Sequence, residues 1–375
     1  MKQFFKSEQT SSQLHRRITR ITKYLRMKNP WPPAKYSVGG HFYIPLKVGE
    51  KPDKIPLGFF GSTGCNWARM GGCTMCDYGG FEGSIPDITL IKQAKFLLCM
   101  WDKYTEINLS SLGSFFDDNE VSPTVRSSIL KLVAKQNNLR VLGVESRADT
   151  ITKNKIMNAK HLLGNKIELE VGIGFESLNS IVRNVCINKG LSINQFDKSI
   201  KLISEVGAQS VAHVLLKPPF LEESEAIHEA IRTIEFLSDM PIKRIVLMVT
   251  NVKKGTLVGK LYERGYYSPP FLWSVLETVL GLSNEAISKL VVYGFECGMP
   301  MEAIGSNCRK CNDTIRSNID LFSQTNDIVY IKRSFDINCE CKNIWKKLIH
   351  TKVRTDLKTR IDLQCSILEG EFHLN

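Results

Sequence analysis

Short β-rich runs alternate with longer amphipathic stretches along most of the chain. The β-rich runs are IPLGFFG, EINLSS, RVLGVES, IELEVGIGF, SVAHVLL and KRIVLMV. The stretches between them carry apolar residues at helical spacing, and these are ITLIKQAKFLLCMWDKY, PTVRSSILKLVAKQ, TITKNKIMNAKHLLG, INQFDKSIKLISEVG and ESEAIHEAIRTIEFLSD. This alternation predicts an α/β fold, a partial (β/α)6 TIM-type barrel built around a parallel sheet.

Functional residues of such a barrel are expected where its strands end. EINLSS leads into a turn at residues 112–118, RVLGVES ends in Glu145-Ser146-Arg147, and IELEVGIGF leads into Glu176. Carboxylates at these positions can accept hydrogen bonds from ribose hydroxyls or an ammonium, and an arginine can bind a carboxylate. Ion pairs at the barrel mouth are the alternative, but three such endings in succession favour a ligand site.

Three cysteines lie in the glycine-rich segment GSTGCNWARMGGCTMCDYGG. Cys65, Cys73 and Cys76 have the spacing C-x7-C-x2-C. Three thiolates are one too few for a closed zinc site, and on a [4Fe-4S] cluster they leave one iron open to a non-protein ligand. The pattern favours a catalytic cluster over structural zinc or unrelated thiols. Cys99, in an apolar helical stretch, is expected to pack as a small hydrophobic residue.

A second group of cysteines near the C-terminus has two short spacings. Its members are Cys308, Cys311, Cys339 and Cys341. Four thiolates from two short turns suit tetrahedral zinc, with an auxiliary iron–sulfur cluster as the alternative. Three other cysteines are expected to pack in the core, namely Cys186, Cys297 and Cys365. His213, in a predicted strand, is interpreted as a core histidine or a catalytic one that faces the barrel interior.

The composition is typical of an intracellular enzyme. With 375 residues, of which 43% are hydrophobic, the chain can bury a large core. Its 11 cysteines are odd in number and no secretory signal opens the chain, so we expect reduced thiols and a cytoplasmic location. The longest apolar stretches are too short for a membrane span, so no membrane partner is expected.

The formal net charge of +12 indicates an anionic partner. The segment HRRITRITKYLRMKNP concentrates positive charge, with Tyr24, Trp31 and Tyr36 in or near it, which favours nucleic acid. A solvated amphipathic helix and an organellar presequence are the alternatives. We therefore divide the chain into a basic N-terminal extension at residues 1–50, a core barrel at 51–295 and a C-terminal extension with the second cysteine group at 296–375.

The ordered motifs together resemble a known family. They are GCNWARMGGCTMCDYGG, SLGSFFDDNEVSP, VESRADTI, VGIGFESLN followed by INKG, LLKPPFLEESEAI and TNVKKGTLVGKLYERGYYSPPFLWSV, and the resemblance that they carry covers residues 56–345. They are similar to the radical SAM superfamily, in particular to its Elp3-related branch with the radical SAM subunit of archaeosine synthase, the RaSEA family. The resemblance implies a core barrel, a [4Fe-4S] cluster and S-adenosylmethionine, which is cleaved to a 5′-deoxyadenosyl radical.

The resemblance also implies roles for individual residues. The cluster ligands are Cys65, Cys73 and Cys76. Contacts to S-adenosylmethionine are assigned to Met75 near the adenine, Gly113 and Ser114 at the methionyl amine, and Glu145 and Arg147 at the ribose and carboxylate. Glu176 and Lys217 face the substrate region and are the candidate catalytic residues. Two departures from the expected pattern, Asp77 after the last cysteine and Leu112 before the glycine, bear on the substrate more than on the radical chemistry.

Three functions are compatible with the sequence. The first is a tRNA-modifying lyase that frees an amidine from a lysine adduct of a 7-deazaguanine base. It would require an external electron donor and a partner, the lysine-transferring archaeosine synthase subunit. The second is a radical SAM enzyme that acts on a peptide or small metabolite. The third is an RNA-binding subunit without turnover, which the polar strand ends disfavour; the positive charge favours the first function over the second.

Overall fold

The computed structural model describes residues 2–29, 41–48, 51–79, 85–295 and 301–374. The strands are β1 (His41–Val48), β2 (Lys51–Phe59), β3 (Glu106–Ser110), β4 (Val141–Glu145), β5 (Glu168–Glu176), β6 (Gln209–Leu216), β7 (Arg244–Val249) and β8 (Leu290–Tyr293). The helices are α1 (Lys2–Lys28), α2 (Asn66–Arg69), α3 (Asp87–Met100), α4 (Pro123–Ala134), α5 (Lys153–Leu163), α6 (Ile193–Glu205), α7 (Glu223–Ser238), α8 (Leu257–Glu263), α9 (Leu272–Leu280), α10 (Asn284–Lys289), α11 (Arg309–Thr325), α12 (Val329–Phe335), α13 (Glu340–His350) and α14 (Leu357–Phe372). Short 3₁₀ and π segments lie at Ala148–Thr150 and Val182–Cys186.

The strands form a single sheet that curls into a nearly closed barrel. They are hydrogen-bonded in chain order from β1 to β8. Strands β2 to β8 run parallel, while β1 is antiparallel to β2 and also contacts β8. The predicted α/β barrel is therefore confirmed. The six predicted strands correspond to β2–β7, and the five predicted helices to α3–α7.

The sequence pattern missed two strands, β1 and β8. Strand β8 has only four residues, all buried, and so shows no alternation between apolar and polar positions. Strand β1 contains Pro45, which disfavours a strand because it cannot donate a backbone hydrogen bond. It lies in the predicted N-terminal extension but pairs with β2 along its whole length. The three-part division of the chain stays a prediction.

Alternate residues of the strands fill the barrel interior. Apolar side chains of β2, β6, β7 and β8 meet there in one cluster with Leu112, among them Leu57, Val211, Val246 and Tyr293. Charged side chains close the amino end of the barrel. Arg244 lies 2.5 Å from Glu106 and 3.0 Å from Glu170, and Lys243 lies 2.7 Å from Glu170. These charged groups pair with one another, and ligand sites of parallel barrels lie at the carboxyl ends of the strands.

Helices α1 and α14 pack together beside the carboxyl end of the barrel. Four buried residues of α1, namely Leu14, Ile18, Ile21 and Leu25, share an apolar cluster with residues of the π segment, α8 and α14. The predicted amphipathic helix is thus real, but its apolar face is covered by protein. In the described part of the chain, no helix combines the length and apolar character that crossing a membrane requires.

Helices α11–α13 form the C-terminal appendage and pack against the rest of the fold. Helix α11 contacts β1 and β8, and α12 contacts α9. The buried indole of Trp345 donates a 2.8 Å hydrogen bond to the Ser274 hydroxyl on α9. The appendage therefore packs directly on the barrel wall at the point where β1 meets β8.

Candidate functional site

The three-cysteine segment follows β2 and lies at the carboxyl end of the barrel. Backbone hydrogen bonds fold it into a compact loop: the amide of Cys65 donates to the carbonyl of Tyr78 at 3.2 Å, and that of Cys76 to Cys73 at 3.3 Å. Buried Thr74 donates its amide and its hydroxyl to the carbonyls of Ile187 and Cys186, at 2.9 and 2.7 Å. The loop is therefore anchored at its centre to the segment that follows β5.

Burial and nearby cations act in opposite directions on the pKa of these cysteines, and burial is the larger effect. Burial raises the pKa of Cys65, while the Arg147 guanidinium lowers it. Burial likewise raises the pKa of Cys76 to about 12, opposed by Arg26 and Lys253. Cys73 interacts electrostatically with both thiols. Because iron–sulfur clusters bind thiolates and metal binding itself removes the thiol proton, three partly exposed thiols with Arg147, Arg26 and Lys253 nearby are a donor set that fits a [4Fe-4S] cluster.

A tight contact joins the turn after β3 to this loop. A Cβ atom on Gly113 would lie 2.6 Å from the Cα and 2.7 Å from the Cβ of Cys65, so no larger residue fits. The carboxylate of Glu120 accepts the amides of Gly113 and Ser114 at 2.7 and 2.5 Å and the Ser62 hydroxyl at 2.5 Å. Both amides of the turn therefore already donate hydrogen bonds to Glu120. The carbonyl oxygens of the turn can still accept hydrogen bonds, which suits an ammonium.

Glu120 is a residue that sequence reasoning missed. It is buried, with 4% of its surface exposed. Burial raises its pKa, and the hydrogen bonds from Ser62 and the turn amides oppose this effect. The motif SLGSFFDDNEVSP contains it, but its position seven residues after Gly113 gives no sign that its side chain folds back onto the turn.

Arg147 lies between β4 and the cysteine loop. Its guanidinium donates to both oxygens of Asp149 at 3.0 Å and to the carbonyls of Lys189 and Gly190 at 3.0 and 3.3 Å, and it lies 4.9 Å from the centre of the Trp67 ring. Its backbone amide donates to the hydroxyl of Ser114 at 2.9 Å. Arg147 thus ties the ends of β3, β4 and β5 together, and a ligand carboxylate would compete with Asp149 for it.

An ion pair at the end of β5 lies beside the same loop. Glu176 lies 2.7 Å from Lys189 and has a positive φ of 70°. A Cβ atom on Gly174 would collide with both charged groups, so glycine gives the pair its space. Burial alone would lower the pKa of Lys189, but Glu176 and Cys73 raise it to about 12. Lys189 occurs in the INKG motif, yet the sequence alone assigned it no role.

The other predicted residues lie in two places. Glu145 and His213 flank Gly172, whose Cβ atom would lie 3.4 Å from the Cγ of Glu145 and 3.3 Å from the imidazole. His213 faces the barrel interior, as the sequence predicted, and is 9% exposed. Met75 packs against the apolar cluster under α1. The roles of these residues toward a ligand stay predictions.

Lys217 forms a buried ion pair. Its ammonium lies 2.6 Å from Glu223 and 3.2 Å from the hydroxyl of Ser268, and 5% of the residue is exposed. The same Glu223 carboxylate accepts from the Phe271 amide at 2.8 Å and the Ser274 hydroxyl at 2.5 Å. These contacts join β6, α7 and α9, so they give Lys217 a structural use, and its catalytic role stays a prediction.

The C-terminal cysteines form a compact set of thiols. The four Sγ atoms of Cys308, Cys311, Cys339 and Cys341 all lie within 4.8 Å of one another, and four of the pairs are 3.4 Å apart. Tetrahedral zinc with Zn–S bonds of about 2.3 Å requires sulfur–sulfur distances of roughly 3.8 Å. An iron–sulfur cluster spreads its thiolates over different iron atoms and therefore more widely. The donor set fits a single tetrahedral ion.

Both pairs of this set lie at helix N-termini. Cys308 precedes α11 and Cys339 precedes α13, so the helix dipoles favour thiolates there. Hydrogen bonds from Cys339 and Cys311 lower the pKa of Cys308 to about 6. The indole of Trp273 donates to the Sγ of Cys341 at 3.3 Å, which connects the thiol set to α9.

The structure also places the remaining cysteines. Cys186 and Cys365 are buried, as predicted. The prediction for Cys99 is wrong: it is exposed, because the buried face of α3 is formed by Leu90, Ala94 and Leu97, and Cys99 lies on the opposite side. Cys297 lies outside the described residues, as do Trp31 and Tyr36 of the basic segment.

The structure thus combines a nearly closed α/β barrel with three cysteines in the loop at its carboxyl end. The chain belongs to the family of archaeosine synthase subunit beta. It is 31% identical to the protein of that name from Methanosarcina acetivorans over 294 residues, which cover 77% of this chain and 83% of the relative. It is 26% identical to the one from Thermococcus kodakarensis over 309 residues, covering 80% of this chain and 94% of the relative.

No model of a protein family matches the chain. Among solved structures, it is similar to the Elp3 protein of Methanocaldococcus infernus, with a TM-score of 0.47 and 15% identity over 62% of this chain and 59% of that one.

Proposed function

We propose that the protein is the radical SAM subunit of an archaeosine synthase and acts on tRNA. The observation that carries this proposal is the 31% identity to an archaeosine synthase subunit beta over 77% of the chain, since the matched region is long enough to include the barrel. The reaction proposed is the release of an amidine from a lysine adduct of a 7-deazaguanine base. An external electron donor and a lysine-transferring subunit are the proposed partners, and the cytoplasm is the proposed location.

The residues that would hold the cofactors surround the cysteine loop. Cys65, Cys73 and Cys76 would bind a [4Fe-4S] cluster, which when bound supplies the electron that cleaves S-adenosylmethionine. The turn at Gly113 and Ser114 would bind the methionyl ammonium through its carbonyl oxygens, because its amides are held by Glu120.

Three more side chains are proposed to orient S-adenosylmethionine. Glu145, beside Gly172 at the barrel mouth, would accept hydrogen bonds from the ribose hydroxyls. Arg147 would attract the carboxylate while it fixes the strand ends. Met75, one residue before the last cysteine, would contact the adenine through its polarizable thioether.

The substrate side of the barrel mouth is proposed to lie near Glu176 and Lys189. Their ion pair is mostly buried, with 13% and 15% of the two side chains exposed, and it borders the cysteine loop through Cys73. A cationic substrate group would compete with Lys189 for the carboxylate, which gives Glu176 a specific role in binding. Lys217, held by Glu223, is proposed to shape the wall between β6 and α7.

The C-terminal cysteines are proposed to bind structural Zn²⁺. Four thiolates leave no open coordination position, so the ion would have no substrate-binding role. It would join the starts of α11 and α13, and through Trp273 it would connect them to α9.

The positive charge is proposed to serve tRNA binding. Several arginines of α1 form hydrogen bonds within the protein, among them Arg17 and Arg26. Exposed Arg16, Lys23 and Lys28 remain on that helix for contacts with phosphates. Since such contacts release counterions, the logarithm of the binding constant should fall linearly with the logarithm of the salt concentration, by about 0.9 per duplex phosphate contact.

Mass spectrometry of digested tRNA tests the proposed substrate. Reconstituted protein, S-adenosylmethionine and a reductant are incubated with tRNA that carries the lysine adduct. We expect conversion of the adduct to the amidine base, and stimulation of 5′-deoxyadenosine formation by this tRNA but not by the same tRNA without the adduct. Unchanged adduct while 5′-deoxyadenosine is still formed would reject the tRNA substrate and favour a peptide or small metabolite.

A further inference from the structure

The basic helix α1 donates hydrogen bonds to the cysteine loop through the side chain of Arg26. The guanidinium of Arg26 donates from Nε to the carbonyl of Gly71 at 2.8 Å, and from Nη2 to the carbonyls of Cys73 and Cys76 at 3.1 and 2.7 Å. Two of these carbonyls belong to predicted cluster ligands. One planar group therefore fixes the backbone at both ends of the C-x2-C segment.

The loop is shaped to receive this side chain. A Cβ atom on Gly72 would lie 2.7 Å from Nη2 of Arg26, and one on Gly79 would collide with its other terminal nitrogen. The two glycines thus provide the space in which the guanidinium lies. Gly72 also has a φ of 71°, which other residues rarely adopt. The glycine content of the loop is explained in part by a protein side chain rather than by a ligand.

Helix α1 is itself held firmly in place. On one side, Arg17 donates to Glu369 of α14 at 2.8 and 2.6 Å and Arg20 donates to it at 2.5 Å. On the other side, His15 and Thr19 contact the side-chain oxygen of Asn188 at 2.9 and 3.2 Å.

Asn188 provides a second connection from α1 to the loop. It is fully buried, and its side-chain amide donates to the carbonyl of Gly72 at 2.7 Å. Arg26 and Asn188 together therefore contact the loop from a rigid base rather than from a free terminal segment.

The charge of Arg26 has a consequence for any electron-accepting group bound by the loop. Reduction of an iron–sulfur cluster adds negative charge, and a nearby cation stabilises the reduced form more than the oxidised form. The guanidinium of Arg26 lies within hydrogen-bond distance of the backbone carbonyls of two predicted cluster ligands, Cys73 and Cys76. The three carbonyl dipoles that it binds would otherwise present their negative ends without a partner.

We propose that Arg26 is a positioning residue of the cluster site, which fixes the C-x2-C segment for cluster binding and raises the reduction potential of the cluster. This proposal rests on the proposed cluster at Cys65, Cys73 and Cys76. It makes the N-terminal helix, which by sequence indicates a nucleic-acid contact, a part of the redox centre.

The test compares Arg26→Gln and Arg26→Lys with wild-type protein, and uses Arg232→Gln, an exposed arginine of α7, as the matched control. Each protein is reconstituted anaerobically without tRNA and without S-adenosylmethionine. Iron retention against a chelator, the midpoint potential from a titration followed by electron paramagnetic resonance, and the melting temperature are measured. Wild-type protein without iron at this loop would refute the cluster itself, which separates failure of the proposed function from failure of this inference.

We expect Arg26→Gln to retain iron about tenfold less well, because residues that hydrogen-bond to the ligand-bearing segment of a metal site contribute on this scale. We also expect it to have a more negative midpoint potential. Arg26→Lys keeps the charge but loses the planar fork, so its potential should stay near wild type while its iron retention falls. Arg232→Gln should match wild type. Wild-type iron retention and potential in Arg26→Gln would overturn the proposal, as would equal potentials in the two Arg26 variants. Should Arg26→Gln fail to fold, iron retention of folded Arg26→Lys equal to wild type would overturn it.

Discussion

Single residues around the cysteine loop are constrained by close contacts more than by their chemistry. Gly113 touches the backbone of Cys65, Gly174 leaves space for the Glu176–Lys189 pair, and Gly72 leaves space for Arg26. Cys65 and Arg26 come from distant parts of the sequence, whereas Glu176 is a near neighbour of Gly174 along the chain. Glycine is therefore required at these positions because a neighbouring group leaves no space for a side chain.

Gly113→Ala is expected to disturb the first cluster ligand. The new Cβ atom would lie 2.6 Å from the Cα of Cys65, a backbone atom that can move only with the whole loop. We expect about tenfold weaker iron retention in a chelator competition, with little change in the melting temperature. Gly370→Ala on α14 is the matched control, because its Cβ atom has no neighbour within 4 Å. Equal iron retention in both variants would contradict the close contact.

The sequence predicts those site residues that form a recognisable local pattern. The spacing of Cys65, Cys73 and Cys76 predicted a metal site, and the strand ends predicted Glu145 and Arg147 at the barrel mouth. Arg26 escaped notice because it contacts a loop distant in sequence, whereas Glu120 and Lys189 lie within quoted motifs that do not show which group each side chain contacts. Long charged residues are common at surfaces, so their burial in a site is visible only in the folded chain.

At the level of elements, the terminal helices α1 and α14 act as a pair. The carboxylate of Glu369 is 9% exposed and binds both Arg17 and Arg20. Burial alone would raise the pKa of Glu369, but the two guanidinium groups lower it below its usual value. The pair is therefore a stabilising contact whose strength depends on pH.

Glu369→Gln is expected to destabilise the protein by about 2 kcal/mol at pH 7, the scale of charged hydrogen bonds. Because the folded-state pKa is lowered, the contribution is present above the usual pKa of a glutamic acid and is lost as the pH falls through the lowered value. The difference between variant and wild type should thus shrink in urea unfolding below about pH 4. Glu285→Gln, whose side chain is 66% exposed, is the control and should differ little from wild type. A pH-independent difference would contradict the ion pair.

The elements of the C-terminal appendage are proposed to depend on the metal. Cys311→Ser removes one of four thiolates, so we expect loss of most of about one zinc ion per chain and a melting temperature lower by more than about 5 °C. Iron at the three-cysteine loop should be unaffected. Cys99→Ser, which changes an exposed cysteine, should keep both metals and the melting temperature. Elemental analysis that finds no zinc in wild-type protein, or the same zinc in Cys311→Ser, would refute the structural ion.

Elements were predicted well where they are long and periodic. Strands β2–β7 and helices α3–α7 follow from alternation of apolar and polar positions. Strand β1 and strand β8 were missed although both are rich in β-branched and aromatic residues, because Pro45 interrupts β1 and β8 has only four residues. What decides their conformation is the partner that each strand finds when the sheet curls toward closure.

In the whole molecule, the two ends of the barrel carry different groups. Ion pairs of Arg244 with Glu106 and Glu170 fill the amino end, while the cysteine loop, the turn at Gly113 and the Glu176–Lys189 pair surround the carboxyl end. The terminal helices pack beside this end, and the C-terminal appendage packs on the barrel wall. The arrangement places the cysteine loop and the proposed substrate contacts on one side of the protein.

Cleavage of S-adenosylmethionine by wild-type and Cys73→Ala protein tests the central claim most directly. Both proteins are reconstituted anaerobically, and iron and 5′-deoxyadenosine are measured after reduction, with Cys99→Ala as the control. We expect about four irons at this loop and steady formation of 5′-deoxyadenosine in wild type and control. Cys73→Ala should lose both, because Cys73 is one of the three thiolates proposed to hold the cluster. Full formation of 5′-deoxyadenosine by Cys73→Ala would contradict the assignment of the cysteine loop as the reactive centre.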